Sequence, residues 1–185
     1  MWSLRCERGS PRPRLLPLMT AAAWHLAQVN VAILRAPIDS PQLADFVALL
    51  EPVNALADRS PGFVWRLQTE DGDATAIRAF DDSRIIVNMS VWESVEALGE
   101  FVFRSRHLEV LRRRREWFEK MATAYVALWW VPAGVTPSVD EAKQRLDLLE
   151  RRGPTADAFT FKEPFAAPGS DARVEQDDRW ACPTG

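Results

Sequence analysis

The chain has 185 residues, of which 47% are hydrophobic, and its formal net charge is −3. This size and composition predict one soluble domain with a substantial core, and the charge indicates no nucleic-acid partner. No apolar run approaches the roughly 18 to 20 residues of a spanning helix, so no membrane partner is expected. The two cysteines, Cys6 and Cys182, lie near the two ends. The central region therefore has no disulfide framework or thiolate metal site, which favours a cytoplasmic protein.

The two ends of the chain differ in composition from its centre. Residues 1–18 contain four arginines and three prolines before a second methionine, Met19. We expect them to be a disordered N-terminal extension or to lie upstream of the natural start. A signal peptide is the alternative, although Pro17 interrupts the short apolar patch. Residues 166–185 are rich in Pro, Gly and Asp, which predicts a flexible tail. A single folded domain is therefore expected over residues 19–165.

Apolar residues between these ends follow strand and helix periods in turn. Alternation predicts strands at residues 24–34, 63–67, 84–92 and 125–131. Helical spacing predicts helices at residues 41–59, 94–103, 106–121 and 138–152. Ser40 and Ser138 stand where helix N-caps are expected, and Glu141 would complete a capping box with Ser138. The core order β-α-β-β-α-β, followed by a C-terminal helix, predicts an α+β ferredoxin-like sandwich with a four-stranded antiparallel sheet.

The two faces of the predicted sheet differ in character. One face carries branched and other apolar side chains: Val29, Val31, Ile33, Ile85, Val87, Met89 and Val91. The other face carries mainly polar ones: Gln28, Asn30, Asn88, Ser90 and Trp92. Buried amides need hydrogen-bond partners, so a merely packed core does not explain this second set. We expect the polar face under the helices and the apolar face against a second copy of the sheet, in a homodimer. The inverse stays open, because alternation alone does not assign faces.

Two ionisable residues share an apolar helical stripe in the region after Trp92. His107 and Arg114 lie on one face of the predicted helix with the apolar residues Val110, Leu111, Trp117, Phe118 and Met121. An imidazole titrates near neutrality and suits a general base, and a guanidinium binds carboxylates or phenolates. The structural alternatives are a packed core histidine and an arginine paired with Glu109 or Glu116. We predict a small-molecule site with His107 as the catalytic residue and the following substrate-binding residues: Arg114, Asn30, Gln28, Asn88, Trp92 and Trp65.

Several segments between Trp24 and Phe165 resemble a bacterial family known as domain of unknown function 3291. They read HLAQVNVA, NALADRSPGFVWRL, SVWES-VEAL, HLEVLRRRREWF, LWWVPAG and EAKQRLDLL. The resemblance implies the dimeric α/β-barrel superfamily. More distantly, VWES-VEAL followed by Ser105 and His107 resembles antibiotic-biosynthesis monooxygenase-like proteins, where a strand Trp precedes a helix that carries a Ser and a His.

The wider resemblance implies two classes of function. One is an enzyme that oxidises or isomerises a polar aromatic substrate, and the other is a non-catalytic ligand-binding or structural homodimer. The sequence requires no cofactor and shows no metal site, so an oxygenase would borrow haem or flavin or rely on its substrate to activate oxygen. Haem-degrading relatives use a first-strand Asn, which Asn30 matches, and a helix Trp. Here the helix region reads Phe101-Val102-Phe103, which departs from that pattern.

Overall fold

The computed structural model describes residues 24–170. The expected N-terminal extension, both cysteines and residues 171–185 of the expected tail lie outside them. The elements, in chain order, are β1 (Trp24–Ile33), a 3-10 turn (Pro41–Leu43), α1 (Ala44–Asp58), β2 (Phe63–Arg66), β3 (Ile85–Trp92), α2 (Val95–Arg104), α3 (His107–Trp117), β4 (Val126–Pro132) and α4 (Val139–Arg152). No helix among the described residues is long and apolar enough to cross a membrane.

The four strands form one antiparallel sheet in the order β2-β3-β1-β4. The central strand β1 pairs with β3 on one side and β4 on the other, so Gln28 lies beside Ser90 and Asn30 beside Asn88. This order is the split βαβ arrangement that the sequence predicts. Because side chains alternate along a strand, this register collects the polar residues of β1 and β3 on one face.

The polar face of the sheet lies under α1, α2 and α3. At one end of this face, Leu26 and Trp92 pack with Val95 and Leu98 of α2. Farther along β1 and β3, polar side chains and residues of α1 and α3 line one cavity instead of packing together. The helices therefore leave an internal space over the middle of the sheet.

The apolar face of the sheet is covered within the chain, which corrects our expectation that a second copy covers it. Val29, Met89 and Val91 on this face are at most 1% exposed. They share a core with three residues of α4: Ala142, Leu146 and Leu149. The segment before β3 adds further apolar side chains to this core, namely Leu67, Ile77 and Phe80. The amphipathic α4 thus takes the place that we assigned to the partner sheet. The homodimer stays a prediction, but it has to use another surface.

The segment after α4 extends the fold beyond the predicted helices. Phe159 pairs with Leu128 of β4 through two backbone hydrogen bonds of 2.8 and 2.9 Å, and its side chain is fully buried. The indole of Trp130 donates a 2.8 Å hydrogen bond to the carbonyl oxygen of Phe165. The segment after α4 therefore contributes Ala158 and Phe159 to the core, and Phe161 and Phe165 pack against it.

Candidate functional site

A cavity of about 1010 Å³ opens between the polar face of the sheet and helices α1 to α3. Six of the seven side chains predicted for the site line it: Gln28, Asn30, Asn88, Trp92, His107 and Arg114. The lining continues past the sheet to Tyr125, Glu150 and Lys162, and it also includes Val31, Val87 and Leu149, which belong to the core on the apolar side. Such a volume stands at the upper end of the range of small-molecule sites, which is about 300 to 1,000 Å³.

Helix α1 forms one wall of the cavity and is fixed at its two ends. Its only buried side chains are Phe46 near the start and Ala57 near the end. Phe46 packs against the rings of Trp117 and Phe118, with centroid distances of 5.7 and 5.1 Å. Between the ends, the apolar side chains of the helix face the cavity: Leu49, Leu50 and Val53. The middle of α1 therefore borders empty space where a core helix would touch the sheet.

His107 is the first residue of α3 and is held there by the junction with α2. The Ser105 hydroxyl donates to the Phe101 carbonyl and accepts a 3.1 Å hydrogen bond from the His107 backbone N–H. The imidazole Nδ1 donates to the carbonyl oxygen of Val102 at 3.3 Å. Because a carbonyl only accepts, Nδ1 carries the proton and Nε2 of the neutral ring is left as an acceptor.

The aromatic side chains beside His107 form a short stack along the cavity wall. The Trp92 and Phe101 rings are stacked at 5.1 Å, and the imidazole of His107 lies 5.0 Å from Phe101. Burial lowers the pKa of His107 below its ordinary value of 6.5, while the hydrogen bond to Val102 raises that pKa by less. The imidazole is therefore neutral at pH 7, the state that a general base requires.

Arg114 lies two turns after His107, and Tyr125 is its partner. Its Nη1 donates to the Tyr125 hydroxyl at 3.2 Å, and the guanidinium lies 4.7 Å from the centre of that ring. The alternative pairing with Glu109 or Glu116 does not occur: Glu116 binds Arg113, and Glu109 forms no salt bridge with a described residue. No carboxylate of residues 24–170 lies within ion-pair distance of Arg114. A partly buried cation thus faces the cavity without a counter-ion.

Four polar side chains of β1 and β3 are joined in one chain of hydrogen bonds. The Trp92 indole donates to the Ser90 hydroxyl at 2.9 Å, and Ser90 donates to Gln28 Oε1 at 2.9 Å. Gln28 Nε2 then donates to Asn30 Oδ1 at 3.1 Å. Trp92, Ser90 and Gln28 are buried, and Asn30 is partly exposed in the cavity. The amides of Gln28 and Asn30 therefore have hydrogen-bond partners, whereas Asn88 is exposed.

Trp65 is the one predicted site residue that does not line the cavity. A β-bulge between Phe63 and Trp65 shifts the alternation of β2. Phe63 consequently packs against Trp92 on the polar face, whereas Trp65 pairs with Val91 and packs on the apolar face. A bulge inserts one residue and reverses the facing of those that follow it. Trp65 therefore does not share the cavity with the other predicted site residues, which corrects its expected position.

Tyr125, the partner of Arg114, was not predicted from the sequence, and neither were the charged lining residues Arg66, Glu150 and Lys162. Tyr125 is the only tyrosine of the chain and stands at the start of the predicted last strand. Only the fold shows that this position lies beside Arg114, so rarity alone was the available signal. Among the residues that the structure describes, no group of three His, Cys, Asp or Glu side chains is placed to hold a metal ion.

Comparisons with known proteins identify a family but no activity. The family model Domain of unknown function (DUF3291) matches residues 25–176. No curated protein matches the sequence significantly. A protein of unknown function from Nitrosomonas europaea is 10% identical, with a TM-score of 0.40, over 64% of this chain and 97% of its own. The structure named "Putative antibiotic biosynthesis monooxygenase from Nitrosomonas europaea" is 13% identical, with a TM-score of 0.40, over 65% of this chain and 100% of its own.

Proposed function

The chain belongs to the Domain of unknown function (DUF3291) family, and we propose that it uses its cavity to bind a small anionic molecule with an aromatic body. The observation that carries this proposal is Arg114, a cation that faces the cavity without a carboxylate partner among residues 24–170. A partly buried charge is costly unless it is paired, so an anionic ligand would supply the missing partner. In the absence of such a ligand, Tyr125 holds the guanidinium through a hydrogen bond and a cation–π contact.

The other charges of the cavity support the same choice of ligand. Arg66, Arg114 and Lys162 line it together with a single carboxylate, Glu150. The salt bridge of 2.7 Å to Asp58 offsets the charge of Arg66, and Glu150 accepts a hydrogen bond from the backbone of Ala124. The remaining balance is positive, which raises the local concentration of anions.

The apolar part of the lining favours a flat ring between the charged groups. Phe101, Val110 and Leu111 line the cavity beside His107, and α1 contributes three more apolar side chains opposite the sheet. An aromatic acid would place its carboxylate or phenolate at Arg114 and its ring against these residues. Burying the ring and pairing the charge would then both contribute to binding.

The binding proposal is tested with 4-hydroxybenzoate and its neutral analogue 4-hydroxybenzamide, by isothermal titration calorimetry. We expect the acid to bind the wild-type protein about ten to a hundred times more tightly than the amide, the range of a charge-assisted hydrogen bond. Arg114→Gln should remove that difference. Arg112→Gln is the matched control, because Arg112 is an exposed arginine on the same helix.

Two results would contradict the proposal. One is equal affinity of the wild-type protein for the acid and the amide, or no binding of either. The other is an equal loss of affinity in the Arg114 and Arg112 variants, because an exposed arginine can act only through the overall charge.

A second candidate function is catalysis in the same cavity, and His107 favours it. Its neutral imidazole offers Nε2 as a base. Oxidation and isomerisation of acidic aromatic substrates can both begin with removal of a proton from the substrate. A phenolic O–H would give its proton to Nε2, and the phenolate that forms would lie beside the imidazolium, while Arg114, two turns along α3, would attract the anionic ligand into the cavity.

This step is tested with 4-nitrophenol, whose phenolate absorbs at longer wavelength than the phenol. At a pH at which free 4-nitrophenol is mostly neutral, the wild-type protein should raise the phenolate absorbance, and His107→Gln should raise it less. If His107→Gln keeps the full absorbance change, His107 is not the base and the non-catalytic binding function remains.

A further inference from the structure

The hydrogen-bond chain on the polar face has one direction, and Trp92 sets it. An indole N–H is only a donor, so the Ser90 hydroxyl accepts from Trp92 and has a single proton to give. That proton goes to Gln28 Oε1, which turns the amide nitrogen of Gln28 toward Asn30. The three side chains upstream of Asn30 are buried, so solvent does not compete strongly for these bonds.

Reversing the two amides would leave a buried group without a partner. If Gln28 turned over, its nitrogen would face Ser90, and the Ser90 oxygen could accept from both Trp92 and Gln28, but the hydroxyl proton of Ser90 would lose its acceptor. Buried polar groups are rarely left in that state, because desolvation is then uncompensated. The amide orientation of Asn30 is thus tied to the indole of Trp92 through two intermediate side chains.

We propose that Asn30 determines ligand specificity by presenting its Nδ2 as a hydrogen-bond donor to an acceptor oxygen of the ligand. Its Oδ1 is occupied by Gln28, and no described residue accepts a hydrogen bond from its Nδ2. Trp92, Ser90 and Gln28 are positioning residues that hold this orientation. The inference rests on the proposed binding function and narrows the ligand class to aromatic anions that carry a second acceptor, such as a carbonyl oxygen.

The test compares ligands that differ in that oxygen alone. Acetylbenzoate and isopropylbenzoate have the same carboxylate and nearly the same shape, but only the acetyl group offers an acceptor. Both are titrated as the 3- and 4-substituted isomers, so that the substituent is sampled at two positions of the ring. For at least one isomer, we expect the wild-type protein to bind the acetyl compound about three to ten times more tightly, the range of one net hydrogen bond.

The decisive variant is Gln28→Glu, which changes one donor into an acceptor. A carboxylate at this position still accepts from Ser90 but cannot donate to Asn30, so Asn30 should turn its nitrogen toward residue 28 and its oxygen toward the cavity. The acetyl preference should then disappear or reverse. Gln144→Glu, on the exposed surface of α4, adds the same charge and should keep the preference.

A second pair of variants keeps the inference testable should Gln28→Glu fail to fold. Ser90→Ala interrupts the chain and should reduce the acetyl preference, whereas Ser90→Thr retains a hydroxyl and should restore it. Binding of both compounds with equal affinity for both isomers would overturn the role of Asn30 and leave the proposed function standing. Failure of every compound to bind would overturn the proposed function and this inference together.

Discussion

At the scale of the residue, His107 is subject to two opposing influences on its pKa. Its position at the start of α3 buries the ring, which lowers the pKa, and the Val102 carbonyl accepts from Nδ1, which raises it by less. The same hydrogen bond fixes the tautomer. A side chain that is neutral, oriented and placed on a cavity wall has the properties of a general base, although each of them has a purely structural cause.

The lowered pKa of His107 predicts a pH dependence of stability. The unfolded chain, in which the pKa is near 6.5, binds a proton more readily than the folded chain. Above pH 6.5 the imidazole is mostly neutral in both states, and His107 then costs no stability. As the pH falls from 6.5 toward the pKa of the folded state, protonation favours the unfolded chain and the free energy of unfolding decreases. In urea denaturation between about pH 7 and pH 5, wild-type stability should fall more than that of His107→Gln.

The matched control for that prediction is His25→Gln, which removes the other histidine of the chain. It should retain the part of the pH dependence that belongs to His107. If the wild type and His107→Gln lose stability in parallel over this range, the burial of the imidazole has no thermodynamic consequence and the prediction is wrong.

The sequence could predict the site residues wherever strands and helices keep their regular spacing of side chains, and it could not where a bulge interrupts that spacing. Strand alternation places Asn30 and Trp92 on one face, and helical spacing turns His107 and Arg114 toward it. Trp65 fails because a one-residue bulge in β2 reverses its facing, and no local pattern in the sequence announces that bulge. The sequence also left both sheet faces available for the helices, so only the fold could place the polar one under them.

At the scale of the element, long-range pairing decides boundaries that local patterns cannot. The apolar stripe predicts that α3 continues to Met121, but α3 ends at Trp117. After Trp117 the backbone turns and pairs with the end of β1. The Trp117 carbonyl accepts from the Arg35 backbone N–H, and the Glu119 backbone N–H donates to the Ile33 carbonyl. The strands themselves agree with the prediction within about two residues, because burial of one face enforces their alternation.

The same reasoning applies to the capping of the helices. Ser138 accepts from the Glu141 backbone at 3.1 Å, as the sequence predicts, but the Glu141 carboxylate accepts from Trp129 and does not return to Ser138. The Glu141 side chain therefore joins α4 to β4 and does not complete the capping box. Ser40 makes no side-chain cap at all, and its hydroxyl is buried without a partner in the described structure.

The segment after α4 gives a prediction about how much of the chain the fold requires. Phe159 is fully buried and adds two backbone hydrogen bonds to β4. A chain of residues 19–152 should therefore lose about 3 to 5 kcal/mol of unfolding free energy or fail to fold, the usual effect of removing a buried phenylalanine. A chain of residues 19–168 should melt like the full protein in differential scanning calorimetry. Equal melting temperatures for the two shortened chains would contradict this assignment.

At the scale of the whole molecule, one chain covers both faces of its own sheet. Helices α1 to α3 and the cavity lie on the polar side, and α4 with the segment before β3 lies on the apolar side. Among the described residues, the exposed large hydrophobic side chains are Val47, Val64 and Val135, and they belong to different parts of the fold. Single exposed side chains of this kind are ordinary and do not mark an interface.

The homodimer that the sequence suggests can be tested directly. Sedimentation velocity at micromolar concentration should give a particle of about twice the chain mass of 20.9 kDa. Such a particle would have to associate through a surface other than the Val29 face. Sedimentation at the mass of one chain would overturn the homodimer, and the cavity, which is lined within one chain, would be unaffected.

Removing the contact between α4 and the sheet should expose the surface that a sheet-to-sheet dimer would use. Leu146 is 8% exposed and packs on the apolar face, so Leu146→Asp places a carboxylate there without a partner. We expect the free energy of unfolding to fall by about 3 to 5 kcal/mol. We also expect association that increases with protein concentration, because the uncovered valines would then reach a second copy. Gln144→Asp puts the same charge on the exposed side of α4 and should behave as wild type. If Leu146→Asp is as stable and sediments as the wild type does, α4 is not the cover of the sheet.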